Sequence, residues 1–361
     1  MKSYNYGSTL QAYALTEYVC SLGYDAEVID FTDMTLSHNR KMYRINMFTR
    51  LFCCLMHPSL LINEYQRIKS VRATVQRTPL EKSRKFDDFF TSSLRLSKET
   101  YLSQDAFAAF VCGSDQVWKT SLPGLHSFFF LRFADNDKRI AYAPSFGSSE
   151  VPSYNRKRLA HYLQEIPFLS VREISGISII RELTGKTVTQ ALDPVLLVDA
   201  RFWRSRYECP VKDTQYVLCY FLDDNQEGLA FAQTIAKANS FDLINISDGE
   251  ESCQFIPSPI EFVQLIDNAQ YVVTDSFHGA AFSCELNTPF CVFERNYSAS
   301  PEQKTRLDSF LHLVDFENRK YCQDFDDSIE MDFSRCNEVL ETKRKESAQF
   351  LRRSLQEATS R

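Results

Sequence analysis

No run of the chain is apolar over the length a membrane-spanning helix needs, and no signal-peptide pattern is visible. A reducing cytoplasm is the expected setting. The sequence also has no P-loop, no GxGxxG, no HExxH and no nucleophile elbow, so the commonest nucleotide, zinc and acyl-transfer signatures are missing. Its 11 cysteines are scattered without metal-ligand spacing. Cys53 and Cys54 sit in an apolar run, and Cys112, Cys219, Cys284 and Cys291 fall inside strand or helix patterns as small hydrophobes do. The acidic doublets Asp223-Asp224 and Asp326-Asp327 have no further ligands to pair with and read as turns. A net charge of −6 supplies no basic field, which argues against nucleic acid as a partner. No tandem repeat and no long Gly/Ser/Pro linker stands out.

What is present is a chain of 361 residues, 44% hydrophobic and 24% charged, with an ordinary globular balance and more length than one core holds. Two domains are therefore expected. Apolar runs bounded by polar turns predict strands at 26–31, 108–112, 140–143, 168–171, 216–221, 242–246, 271–274 and 290–293, with helical spacing in most intervals. Such alternation indicates an α/β fold with largely parallel sheets, and the half that begins at Tyr216 repeats a βα unit of roughly Rossmann type. A loop from Asp193-Pro194 to Lys212 marks the break between halves. It gives an N-terminal domain over 1–194, a C-terminal domain over 195–325 and a helical tail over 326–361. No strand pattern precedes Asn5, although a turn-then-helix unit ordinarily follows one; either that strand is missing from this version of the chain or the fold does without it.

The richest stretch is 271–287. Tyr271–Thr274 reads as a buried strand, Asp275-Ser276 as a polar turn, and the following residues as a helix start that carries His278 and Gly279. A helix start leaves N–H groups unpaired and partly positive, so an anion site and a titratable imidazole coincide there. Other polar turns occupy similar positions. Asn5-Tyr6-Gly7-Ser8 precedes a helix with Gln11 one turn inside, either as a ligand contact or as a cap. Gly113-Ser114-Asp115-Gln116 ends a strand, with Trp118 as a wall of a site or as a buried packing residue. Arg172-Glu173 closes another strand, as a structural ion pair or as a fork for phosphate or carboxylate. His38, His57, His126, His161 and His312 have no partner pattern.

Together Asn5–Leu15, Gly113–Trp118, Tyr142–Gly147, Ser170–Glu173, Asp193-Pro194 and Thr274–Gly279 resemble, in order, the motifs of the polysaccharide pyruvyl transferase family over roughly residues 4–311. The resemblance implies a glycosyltransferase-B-like architecture, two Rossmann-like domains facing across a cleft. It also implies phosphoenolpyruvate as donor and a sugar diol of a cell-surface polysaccharide, or of its lipid-linked precursor, as acceptor. The products are then a pyruvate ketal and phosphate, with no metal and no cofactor required.

Many members of that family carry an arginine two residues before the histidine; here the position is Ser276, so the cation must come from Arg172, Arg295, Lys304 or Arg306. In this scheme His278 gives a proton or holds the phosphate, and Asp115 and Glu173 are candidate bases. Asn5, Gly7, Ser8, Gln11, Gly113, Ser114, Gln116, Trp118, Ser276, Phe277 and Gly279 are expected to contact substrates. A nucleotide-sugar-dependent glycosyltransferase and a non-catalytic, degenerate member are the competing classes.

Between residues 40 and 85, eleven Lys and Arg stand against Glu64 and Glu81, interleaved with Met47, Phe48, Leu51, Phe52, Leu55, Met56, Leu60, Leu61 and Ile62. This segment is expected either to lie peripherally on the inner face of a membrane that carries a lipid-linked acceptor, or to pack as a helical insertion on the N-terminal domain.

Overall fold

The computed structural model describes residues 4–30, 37–97, 106–208, 213–247, 255–295, 304–322, 325 and 330–360. The first element is α1 (Tyr6–Ser21), capped by Asn5, whose side chain accepts from the Ser8 N–H. The strand expected over 26–31 is reduced to a single parallel bridge between Val28 and Leu96. Asp25, Glu27 and Asp30 leave too few apolar positions for a buried strand, and Phe31 lies outside the described residues. The helical stretch that follows is α2 (Ser37–Met56) and α3 (Leu60–Arg77), split at Pro58, which removes a backbone donor and clashes with the preceding turn. Helix α4 (Leu80–Ser92) completes this region.

Next come β1 (Phe110–Cys112), β2 (Arg139–Ala141), α5 (Ser153–Gln164), β3 (Phe168–Val171), α6 (Ile174–Thr184) and β4 (Thr189–Gln190). Their strands pair in parallel in the order β1-β2-β3-β4. Gly185 ends α6 with φ 72°, a left-handed stop that a side chain would strain. Two short helices follow, α7 (Pro194–Leu197) and α8 (Ala200–Arg204).

The second sheet is built from β5 (Tyr216–Tyr220), α9 (Gln226–Asn239), β6 (Asp242–Asn245), α10 (Pro259–Asp267), β7 (Tyr271–Thr274), α11 (Phe277–Leu286) and β8 (Phe290–Val292). Its strands are again all parallel, in the order β6-β5-β7-β8. Helix α10 starts with the capping box that Ser258 and Glu261 predict. Helices α12 (Lys304–Leu313) and α13 (Ser334–Thr359) complete the described chain. Two parallel four-stranded sheets with helices between their strands make a Rossmann-like α/β fold.

In the second sheet β6 lies on one side of β5 and β7 on the other, so the chain reverses its direction of winding there. A crevice opens at the carboxyl ends of strands flanking such a switch point. Helix α1 delivers residues to it. Near its start the Tyr6 ring stacks on Phe262, with centroids 4.5 Å apart and planes 4° from parallel, and the Tyr6 hydroxyl donates to the Pro257 carbonyl at 2.9 Å. Near its end Leu15 and Val19 share a core with Ile140 and Tyr142 and with Leu351 and Leu355 of α13. One helix is thus packed against elements of both sheets, which fixes Gly7 and Ser8 in place. Each described cysteine is free, and burial pushes the Cys112 thiol up to about 12. No described helix is long and apolar enough to cross a membrane.

Candidate active site

A cavity of about 190 Å3 opens at the carboxyl ends of β5 and β7, at the switch point. Leu222, Asp275, Ser276, Phe277 and His278 line it from the second sheet, Asn5 and Ser8 from the start of α1, and Asp115 and Gln116 from the turn after β1. Arg295, beyond β8, and Arg306, in α12, complete its charged wall with Glu294, Asp308 and Lys320.

Asp115 adopts a left-handed backbone with φ 68°, uncommon for a residue with a side chain. The conformation is held by its carbonyl, which accepts from Val117 N at 2.8 Å and Ser145 N at 2.9 Å. Its carboxylate accepts from the Ser8 hydroxyl at 2.5 Å and lies 3.8 Å from Arg306 Nη1. Burial raises the carboxyl, but His278, Arg172 and Arg306 and the Ser8 hydrogen bond outweigh it, so Asp115 titrates below the ordinary aspartate range. The Gln116 amide oxygen, placed by its donors, accepts from Arg306 Nη2 at 2.5 Å and Nε at 2.8 Å.

The His278 imidazole lies against the backbone of Gly7 so closely that a Cβ on residue 7 would fall 1.9 Å from Nδ1. Nε2 is buried, has no hydrogen-bond partner among the described residues, and faces Asp193 Oδ2 at 3.7 Å. Asp193 is itself wholly enclosed. It accepts from Ser114 Oγ at 2.8 Å, Arg172 Nη1 at 2.5 Å and Val195 N at 3.2 Å. Burial pushes its carboxyl up, yet the His278 and Arg172 interactions win and hold it well below the usual carboxylate range. Burial lowers Arg172, but Glu173, Asp193 and Asp115 together raise it above an ordinary arginine. Its guanidinium also sits 4.3 Å from the centre of the Phe277 ring. A buried Asp–Arg–Glu cluster therefore backs the histidine.

At the start of α11, Ser276 caps the helix by accepting from Gly279 N at 3.4 Å, and Ala280 N donates to the Ser276 carbonyl at 3.1 Å. The amides of Phe277 and His278, in the first turn, have no acceptor within the helix itself. Asp275 accepts from Leu222 N at 2.8 Å through Oδ1, while its buried Oδ2 lies 3.4 Å from Arg295 Nε. Burial raises the Asp275 carboxyl, and Arg295 offsets part of that rise.

The residues expected from sequence divide cleanly. Asn5, Ser8, Asp115, Gln116, Ser276, Phe277, His278, Arg295 and Arg306 line the cavity. Others support it from behind: Gln11 accepts from Ser114 N at 3.1 Å and donates to the Ser8 carbonyl at 3.1 Å, joining two of the turns. Gly113 admits Leu15, and Gly279 admits Thr274, at distances no side chain on those glycines would allow comfortably.

Trp118 is a correction. It does not wall the cavity for a sugar but is fully buried, stacked on Phe130 at 5.0 Å, with Nε1 donating to the Phe129 carbonyl at 2.8 Å. Glu173 does not line the main cavity: it accepts from Arg172 Nε at 3.1 Å and borders a smaller cavity that Phe277 and Arg306 also line. Arg172 is likewise committed to Asp193 and Glu173 and borders that smaller cavity. Lys304 begins α12, and its side chain lies outside the described residues. Asp193, expected as the break between halves and within one of the family's motifs, and Asp275, expected only within a polar turn, were not among the expected site residues, yet Asp193 faces His278 and Asp275 lines the cavity.

These features define a Rossmann-like α/β protein whose charged cavity sits at its topological switch point. The family model described as polysaccharide pyruvyl transferase matches residues 5–297, and the chain belongs to that family. Its reaction class is accordingly pyruvyl transfer onto polysaccharide. No curated protein matches the chain.

Proposed function

We propose that the chain transfers the pyruvyl group of phosphoenolpyruvate to a sugar diol of a cell-surface polysaccharide or its lipid-linked precursor, forming a cyclic pyruvate ketal. The observation that carries this reading is the meeting of His278, Asp115, Arg295 and Arg306 around one cavity in a member of this family. The two sheets are read as two domains that face each other across this cleft in the glycosyltransferase-B manner.

Arg306 and Arg295 replace the arginine that Ser276 displaces, because guanidinium forks match phosphate and carboxylate oxygens. His278 delivers a proton to the methylene carbon while the first sugar hydroxyl bonds to C2 and yields its proton to Asp115. The bond from C2 to the phosphate oxygen then breaks and phosphate leaves with the electron pair. The proton held by Asp115 passes to the departing phosphate, and the second hydroxyl bonds to C2 and gives its proton to His278, so donor and diol give ketal and hydrogen phosphate and both side chains are restored. Attack on an oxocarbenium-like carbon acidifies the incoming hydroxyl, so a carboxylate as weak as Asp115 suffices.

Phosphoenolpyruvate at about 100 times its Kd should stabilise the chain by about 2.7 kcal/mol, a rise of several degrees in melting temperature. Arg306→Ala should abolish that rise while its ligand-free melting stays near wild type. Stabilisation by nucleotide sugars and none by phosphoenolpyruvate would instead indicate a glycosyltransferase. Stabilisation by phosphoenolpyruvate without phosphate release on any diol would indicate a non-catalytic member.

A further inference from the structure

The hairpin of α2 and α3 presents a large apolar surface to solvent. Phe52 is 62% exposed, Leu55 66%, Met56 63% and Ile62 65%, and Phe48 and Tyr65 extend the same set. The opposite face of α2 is fixed to the body: Asn46 accepts from Ser127 Oγ at 3.2 Å, and Cys53, Cys54 and Leu60 form a small core with Tyr154. The exposed face is therefore the outward face of an anchored element. Isolated apolar side chains at a surface are ordinary, but a contiguous set of this size marks an interaction site.

Charge decides between occupants. Residues 37–77 carry eight Lys and Arg against Glu64 alone, a local balance of +7, while the whole chain stands at −6, leaving −13 on the rest. A second copy meeting this face with its own hairpin would set +7 against +7. Elsewhere the large exposed hydrophobics among the described residues are only Leu80, Leu96 and Ile174, too scattered to cover it. The arrangement along each helix fits a lipid surface instead. The most exposed apolar side chains of the two helices cluster on either side of Pro58, and the exposed Arg44, Lys69 and Arg72 stand about 16–21 Å back from it, at the 1.5 Å rise of a helix.

We infer that the α2–α3 hairpin docks the protein on an anionic phospholipid surface, with the apolar residues beside Pro58 seated in the headgroup and acyl boundary and the cations meeting lipid phosphates. The protein lies on the bilayer, and no described helix spans it. This inference is independent of the reaction proposed above, since docking is read without turnover.

The test is co-sedimentation of the full chain with vesicles of equimolar phosphatidylglycerol and phosphatidylcholine, and with vesicles of phosphatidylcholine alone. At low salt most of the protein should sediment with the anionic vesicles, about tenfold less with the neutral ones, and the difference should shrink as salt screens it. A double change Phe52→Ser and Leu55→Ser, and separately a triple change Arg44→Glu, Lys69→Glu and Arg72→Glu, should each lower anionic-vesicle binding about tenfold. The charge variant alters only exposed side chains, so its arm stays decisive should the apolar variant fold poorly. Wild-type protein that stays in the supernatant at low salt, or a charge variant that partitions like wild type, overturns the inference. So does a dimer in sedimentation velocity that the apolar changes dissociate, because a second copy then covers the face.

Discussion

His278→Ala is expected to lower phosphate release from phosphoenolpyruvate, with acceptor present, by about 100-fold to 10,000-fold, the range that loss of a positioned acid commonly costs. The fold should survive. Asp193 keeps its hydrogen bonds from Ser114, Arg172 and Val195 when the imidazole is gone, so no buried carboxylate is orphaned. Phosphoenolpyruvate should still stabilise the variant thermally, because Arg295 and Arg306 remain in place. Loss of turnover with retained binding separates a proton donor from a phosphate ligand, which would lose both. Wild-type-like turnover would remove His278 from the reaction altogether.

The second large effect is expected at a residue without a side chain. Gly7→Ala places a methyl group 1.9 Å from His278 Nδ1, far inside contact distance. Neither partner yields easily. Helix α1 is pinned by the Tyr6–Phe262 stack and by Leu10, which is fully buried. The imidazole is confined by Phe277 at 5.1 Å between ring centroids and by Asp193. A displacement of the ring by about 1 Å costs about 100-fold in rate when geometry governs the step. Overpacking should also cost about 1–3 kcal/mol of stability, partly offset by the better helix propensity of alanine. Kinetics and denaturant melts of the same preparation check both effects. Unchanged turnover would show that the ring position does not matter. Gly7 is thus required by close approach and not by its backbone angles, since it is absent from the positive-φ residues.

Much of this site was legible from residues alone, and the reasons are local. The sequence Tyr271–Gly279 fixes its own structure: four buried strand residues, then Ser276 as a helix cap, which leaves His278 only the first turn of α11. The strands of both sheets except β4 likewise announce themselves as apolar runs between turn residues, whereas β4, the two polar residues Thr189–Gln190, gives no such signal. The apolar and basic content of 40–85 leaves two readings open, a segment lying on a membrane and a helical insertion packed on the N-terminal domain.

What was not legible depends on contacts between distant residues. Asp193 precedes a proline and reads as the break between halves, yet Ser114, Arg172 and His278 converge on it from 79, 21 and 85 positions away. Trp118 follows a polar turn, and nothing in linear order says that its ring turns inward toward Phe130. Arg172 and Arg306 look equivalent as candidate forks, but one is consumed by buried carboxylates and the other reaches the cavity. The strand expected at 26–31 failed for a different reason, since its acidic residues keep that segment at the surface. The double role of α1, packed on elements of both sheets, is a tertiary fact that helical periodicity does not encode.

In the proposed reaction one cavity joins phosphoenolpyruvate to a sugar diol. Its most direct measurement follows phosphate release and acceptor mass together when the chain is incubated with phosphoenolpyruvate and a panel of sugar diols. The account predicts one phosphate for each acceptor that gains a pyruvate less one water, with both signals lost in His278→Ala. Phosphate release without any gain in acceptor mass, or an acceptor that instead gains a glycosyl unit from a nucleotide sugar, would contradict it.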